Sequence, residues 1–429
     1  MAKIWNKMSN WRAAMSSSYR NPPRNIAALV FQGPIRLAAV LACAFAAQAQ
    51  AAQVYTQPIL TVGAQGDTNL GLDVMNKYTV GYYAEAASII GIASAASDTN
   101  LEPRLRYTEF PTERALDRFE GSLNFNSSYS TPRSYFYIYG LFDHLNDTEE
   151  EFPSGVYDPI NPIAPTSVNA GPTSIGVTQN NLWVAPKYTY DLTQLVGVGV
   201  SGVAQRVTYS PADPFGHVDF DYYQGQLMLS RKFGPRTQLS LAGYGARYSA
   251  IDLDSTANAG GANLELDYKW SARASGGVSV SYQHTNIDQV EPSPFRSTAN
   301  TWGASFDNTW KQQTGQWRIT IERDVSPNAG GGLFATDQAQ TEYDHDLTQL
   351  LSVTGALKYV ATRGLSANVS RFDITYYRAD LSLKRMLART WFVQGGYGFL
   401  REKYLSNAIR GSNNELYVRF GYQGLPRQQ

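Results

Sequence analysis

The stretch "NLELDYKWSARASGGVSVSYQ", residues 263–283, decides how the chain folds. Leu264, Leu266, Tyr268 and Trp270 alternate with Glu265, Asp267 and Lys269. After a short polar corner, Val278, Val280 and Tyr282 alternate with Ser279, Ser281 and Gln283. Successive side chains of a β-strand point to opposite faces, so each run makes a strand with one apolar and one polar face. The same alternation recurs in "QWRITIERD" (316–324) and "NELYVRFGY" (414–422).

Alternation alone also fits a soluble antiparallel sandwich. Three features favour a membrane. The strands run to roughly 10–14 residues, where sandwich strands average about five or six and a tilted membrane strand needs about 9–11. Connections alternate in length. Tight corners fall near 190–194, 231–236, 269–273, 311–316, 345–349 and 384–389, and longer polar loops near 209–216, 252–261, 287–297, 324–332, 361–369 and 402–413. Aromatic residues gather beside the tight corners, with Tyr190, Trp270, Trp310, Trp317 and Trp391 as the expected girdle. Lipid cannot satisfy a peptide group, so a spanning sheet must close on itself. The sequence therefore predicts an all-β fold, a transmembrane antiparallel up-and-down β-barrel over 52–429. About 18 strands are expected and 16 also fits, an even count with both ends periplasmic. The expected strands include 217–231, 261–270 and 369–384. The tail "QGLPRQQ" follows Tyr422, where barrels commonly finish on an aromatic.

Asp-Leu-Thr-Gln-Leu occurs twice, at 191–195 and 346–350. Each copy sits between two alternating runs, and neither shows a catalytic partner. Asp and Thr bond the backbone of tight turns, so the repeat reads as a periplasmic corner.

Composition agrees. The 429 residues carry 36 basic and 36 acidic side chains, 17% charged residues, 13% aromatics and 28 tyrosines. Balanced charge gives no sign of a nucleic-acid partner, and the aromatic, glycine-rich, charge-poor mixture is that of a β protein. Residues 1–51 hold a basic stretch, an apolar run and Ala-x-Ala sites, the pattern of a cleaved signal peptide. Cys43, the one cysteine of the chain, lies within it, and a lipidation site there is the rival reading. The longest connection, 146–179, is expected to be extracellular, either a surface loop or a gate folded into the mouth. No enzymatic motif, metal-ligand spacing or cofactor loop is found. His217 with Asp219 and Asp221 is the best catalytic candidate and reads better as a polar row near a strand end.

The polar faces should line the lumen. Its candidates are Arg104, Arg106, Glu120, Asp219, Asp221, Glu265, Asp267, Lys269, Arg318, Glu322, Lys358, Arg378, Asp380, Lys384, Tyr417 and Arg419. Both signs are present, which fits cross-barrel salt bridges and also a passage for a hydrated polymer.

"LEPRLRYTEFPTERALDRFEGSLNF" (101–125) and "ERDVSPNAGGGLFATDQAQTEYDHDLTQLLSVTGALKYV" (322–360) resemble the β-barrel porin type 2 family, and "VGAQGDTNLGL" is similar to that family's first strand and turn. The resemblance implies a bacterial outer-membrane channel that exports an exopolysaccharide. Its partners would be outer-membrane lipid, polysaccharide in the lumen and periplasmic or inner-membrane export components. A general small-solute diffusion porin and a structural or adhesive barrel with a filled lumen are the alternatives.

Overall fold

Alternation of this kind closes into a barrel in the computed structural model, which describes residues 52–428 except 71, 73–76, 147–175, 212–216, 252, 290–293, 329–330, 366–372, 405–409 and 426. The leader reading over 1–51, Cys43 included, and nearly all of the 146–179 loop lie outside these residues.

Eighteen long strands follow one another in chain order. They are β1 (Gln53–Asp67), β2 (Thr79–Ala93), β3 (Ser97–Glu109), β4 (Arg118–Ser130), β5 (Ser134–Asn146) and β6 (Thr178–Asp191). Next come β7 (Val196–Ser210), β8 (Phe220–Lys232), β9 (Thr237–Ala250), β10 (Ser255–Lys269), β11 (Ala274–Gln289) and β12 (Phe295–Lys311). The last six are β13 (Gly315–Asn328), β14 (Gly332–Thr348), β15 (Leu351–Gly364), β16 (Ile374–Met386), β17 (Trp391–Tyr404) and β18 (Arg410–Gln423). Each strand pairs antiparallel with the next, and β1 closes the sheet on β18 from Ile59↔Gln423 to Asp67↔Glu415. Closure leaves no unpaired edge along the seam, which is what a spanning sheet requires. Among the described residues no helix is long and apolar enough to cross a membrane; the strands do the crossing.

The burial pattern inverts that of a soluble protein. Leu227 is 70% and Leu416 67% exposed, whereas Glu120 is 3% and Gln179 1% exposed. Lipid rather than water must cover the first set, because no soluble monomer leaves such a continuous apolar belt bare. Short turns lie at one rim and longer connections at the other, which places the short-turn rim in the periplasm of an outer-membrane barrel.

The repeated corner sits at that rim. Thr193 Oγ1 accepts the N–H groups of Leu195 and Val196 at 3.2 and 3.0 Å, and Thr348 Oγ1 accepts that of Leu350 at 3.2 Å. Ser94, Thr131 and Ser271 make the same bond in other short turns. The hydroxyl satisfies donors that the ladder abandons where the chain reverses. Asp191 instead pairs with Lys232 at 3.6 Å. The tail is held: Gly424 N–H donates to Pro58 O at 2.8 Å, and a two-residue strand, Arg427–Gln428, pairs with Thr56 and Tyr55.

Two expectations change. Strand β10 begins at Ser255 rather than near 261, because "STANAGG" carries no apolar alternation yet pairs along β9 and β11. The interior is also not uniformly polar. At the extracellular ends of β7 to β11, Val207, Tyr209, Phe220, Tyr222, Tyr248, Ala257 and Ile287 point inward and form an apolar cluster with Val177 and Leu333. A second cluster joins Leu72, from the β1–β2 connection, to Val360, Ile374 and Tyr376. The same strand ends turn Arg206, Arg247, Asn258, His284 and Arg323 to the outer face. Polarity thus reverses with height, since beyond the hydrocarbon the outside is water and the inside can pack.

The lumen as candidate functional site

Inward rows bring the charged side chains together, from mid-barrel up to the extracellular ends of β1, β3 and β4. On β16 to β18, Arg378 Nε donates to both carboxylate oxygens of Asp380 at 3.1 Å and lies 3.8 Å from Glu415. Arg419 donates to Gln394 Oε1 at 3.1 and 2.8 Å, and Gln394 Nε2 donates to the Tyr417 hydroxyl at 3.4 Å. Across the seam Arg106 lies 4.3 Å over the Tyr83 ring and donates to Gln65 at 2.7 Å. Gln65 donates to Asp67, which also accepts from Asn413. Arg104 pairs with Glu85 at 2.7 Å and Arg118 with Glu120 at 3.3 Å. Guanidinium groups are thereby held in fixed orientations by charge-assisted bonds.

The opposite wall differs. Asp267, Gly277 and Asp307 stand side by side on β10, β11 and β12, with Glu265 one inward row away. A Cβ on Gly277 would lie 2.9 Å from Asp307 Oδ1 and 3.4 Å from Asp267 Oδ1, so glycine there leaves the room the two carboxylates occupy. Farther round, Arg318 pairs with Glu342 at 3.0 Å, and Gln338 donates to Glu322 at 2.9 Å. Acidic groups concentrate on β10 to β13, while Arg104, Arg106, Arg118, Arg378, Lys384 and Arg419 on the other wall are laced to acceptors.

Strand parity puts Arg104, Arg106, Glu120, Glu265, Asp267, Lys269, Arg318, Glu322, Lys358, Arg378, Asp380, Lys384, Tyr417 and Arg419 in inward rows, opposite the apolar belt residues of the same strands. Asp219 and Asp221 are corrections. Asp221 shares the outer row of Tyr223, Leu227 and Leu229 and pairs with outward Arg206 at 3.8 Å. Asp219 precedes β8 and accepts the Tyr209 N–H at 2.8 Å. His217 packs 4.6 Å from the Tyr209 ring, and Asp221 faces outward, away from the lumen. Glu85, Gln65 and Tyr83 went unrecognised. The signal for Glu85 was present in "YYAEAAS", whose alanines hide the alternation because they are neither greasy nor polar.

The girdle residues face outward at the short-turn rim. Trp310 stacks on Trp317 at 6.0 Å, Trp391 on Phe420 at 5.1 Å, and Trp270 meets Tyr268 edge-on at 4.5 Å. Tyr190 lies in the same band. Among the described residues no group of three or more His, Cys, Asp or Glu is placed to hold a metal ion.

Closed sheet, apolar belt and aromatic rim define an outer-membrane β-barrel of 18 strands. No family model and no curated protein matches the chain, so the kinship suggested by 101–125 and 322–360 is not shown. Solved structures align along most of their length at low similarity. OccK2 (OpdF) of Pseudomonas aeruginosa, crystallised with glucuronate, is 11% identical with a TM-score of 0.42, over 87% of this chain and 98% of its own. The outer-membrane protein opdK of the same organism is 10% identical with a TM-score of 0.41, over 86% and 99%. Acinetobacter baumannii OccAB2 is 12% identical with a TM-score of 0.40, over 86% and 97%.

Proposed function

We propose that the barrel is a diffusion channel for small, polar, charged solutes and carries out no covalent chemistry. One observation supports this over polymer export: inward apolar clusters around Tyr248 and Tyr376, both essentially without solvent exposure, stand at the extracellular ends of β7 to β11 and of β15 and β16 and narrow the lumen there. A hydrated polymer needs a continuous run of wide, polar wall. A small solute needs only a narrow gap beside such clusters, with fixed charges to orient it. The acidic wall at Glu265, Asp267 and Asp307 favours cations or cationic ends of solutes.

Reconstitution in planar bilayers and in liposomes loaded with solutes of graded size tests the reading. Stepwise conductance with a sharp size cut-off among small solutes is the expected outcome. Absence of conductance supports the filled, structural barrel. Loss of secreted polysaccharide in a deletion strain, with no change in small-solute uptake, supports export. His217→Ala is expected to leave conductance unchanged.

A further inference from the structure

The wall parts beside β12. Strands β12 and β13 pair from Lys311↔Gln316 to Ala304↔Arg323 and no higher, although β12 runs on to Phe295 and β13 to Asn328. Among the described residues no strand pairs with this side of β12 from Phe295 to Gly303. The upper ends of β13 and β14 leave the wall together, still laddered from Val325↔Ala335 to Asn328↔Gly332 and tied by the Ser326 and Thr336 hydroxyls at 3.2 Å. Side-chain parity shows where they go. Val325 and Leu333 belong to the outward rows of Ile321 and Tyr343, yet both pack in the cluster of Tyr248 and Ala257, which point inward from β9 and β10. The outer face of this hairpin therefore lies on the inner face of the neighbouring wall. Its tip reaches the far side of the mouth, where a Cβ on Gly331 would lie 2.6 Å from Leu253 Cδ1 and 3.2 Å from Val218 Cγ2. The parting starts at Trp302, above which the outward row of β12 changes to Asn300, Thr298 and Arg296. The bare peptide groups thus stand above the hydrocarbon, where water meets them; lipid would not tolerate them.

We propose that the upper ends of β13 and β14 form a flap with two positions: folded inward over the mouth, as here, and zipped onto the bare edge of β12, which opens the mouth. An unpaired edge is a template for a strand, and the strand that belongs there by register is β13. Continuing the ladder puts Asp324 opposite Gly303, Val325 opposite Trp302 and Ser326 opposite Thr301. Each position satisfies a different need. Folded inward, Val325 and Leu333 exchange water for the tyrosine cluster. Zipped, the N–H and C=O groups of both edges find partners. Pro327 has no N–H to give, so the zipped ladder lacks one bond. Pairing of β14 with β15 reaches Phe334↔Gly364, which makes that side the hinge. The gate rests on the channel reading; the swing itself does not.

The test uses the refolded full chain carrying Cys43→Ser, which removes its one cysteine. Thr301→Cys with Ser326→Cys is treated with a short bifunctional thiol reagent, and bridging is read by peptide mass spectrometry. Lys311→Cys with Gln316→Cys, already opposite one another in the ladder, is the positive control. Both pairs are expected to bridge, and the bridge from 301 to 326 is expected to hold single-channel conductance at least twofold above the parent's main level. Val218→Cys with Gly331→Cys fixes the inward position as a disulfide, since the two Cβ atoms would stand 3.5 Å apart. It is expected to abolish upward excursions of the current, and reduction to restore them. The same protein is compared before and after reduction, so the left-handed backbone at 331 enters both readings equally. Bridging of the control pair but not of 301 with 326, or a bridge there that leaves conductance unchanged, would overturn the flap. A barrel that conducts in no form would overturn the channel reading instead, and the bridging yields would still decide whether the flap swings.

Discussion

Replacing Leu227 with Arg separates a membrane barrel from any soluble β fold. Leu227 sits near the middle of β8, points outward and is 70% exposed. On a soluble protein such a surface change costs within about 0.5 kcal/mol. In a bilayer two terms add. Arginine on the lipid face near the midplane costs about 2–4 kcal/mol. Removing leucine from hydrocarbon forfeits about 1–2 kcal/mol, taking seven-tenths of the roughly 1.5–3 kcal/mol for full burial. Together they predict about 3–6 kcal/mol, enough to shift the folding equilibrium a hundredfold or more. The neighbouring Gln226 faces inward, and Gln226→Arg should cost less than about 1 kcal/mol, as an inward change in a hydrated barrel does. Equilibrium folding into phospholipid vesicles, followed by denaturant titration and tryptophan fluorescence, measures both. If Leu227→Arg folds as well as the parent, or Gln226→Arg is the worse of the two, the assignment of faces is wrong.

Three further outcomes are expected. Glu265→Gln with Asp267→Asn and Asp307→Asn should abolish a cation preference read from reversal potentials across a salt gradient, while leaving conductance at high salt within twofold. Thr193→Val, which removes the acceptor for two turn N–H groups, should cost about 1 kcal/mol in the same vesicle titration, whereas Thr193→Ser should recover most of it. Gly331 has φ +84, and a side chain there would place its Cβ 2.6 Å from Leu253 Cδ1; Gly331→Val should loosen the mouth, raising single-channel noise without changing the amount of folded barrel on a heat-modifiability gel.

Strand count and girdle were legible in the sequence because lipid imposes a strict two-residue period on anything that crosses it. Val278, Val280 and Tyr282 could face nothing else. The reading failed where that constraint ends. Around "VDFDYYQGQLMLS" the apolar residues change phase between Tyr222 and Tyr223 without a bulge. Phe220 and Tyr222 are apolar because they pack inside above the hydrocarbon, and Leu227 and Leu229 because they meet it. A single phase drawn through the whole segment put Asp219 and Asp221 in the lumen. The charge networks were harder still. Arg419 meets Gln394 on the adjacent β17 and Arg106 reaches past β2 to Gln65 on β1, choices set by register and side-chain reach that alternation does not encode.

The exchange of greasy and wet sides partway up β7 to β11 also works as a depth gauge. Sliding the cylinder toward the cell interior would drag Arg206 and Arg247 into oil and bare Trp310 and Trp317 to water, and sliding it outward would pull the short-turn rim, with Arg273 and Lys311, into oil. Both penalties grow with displacement, so the molecule's vertical seat is written into its wall.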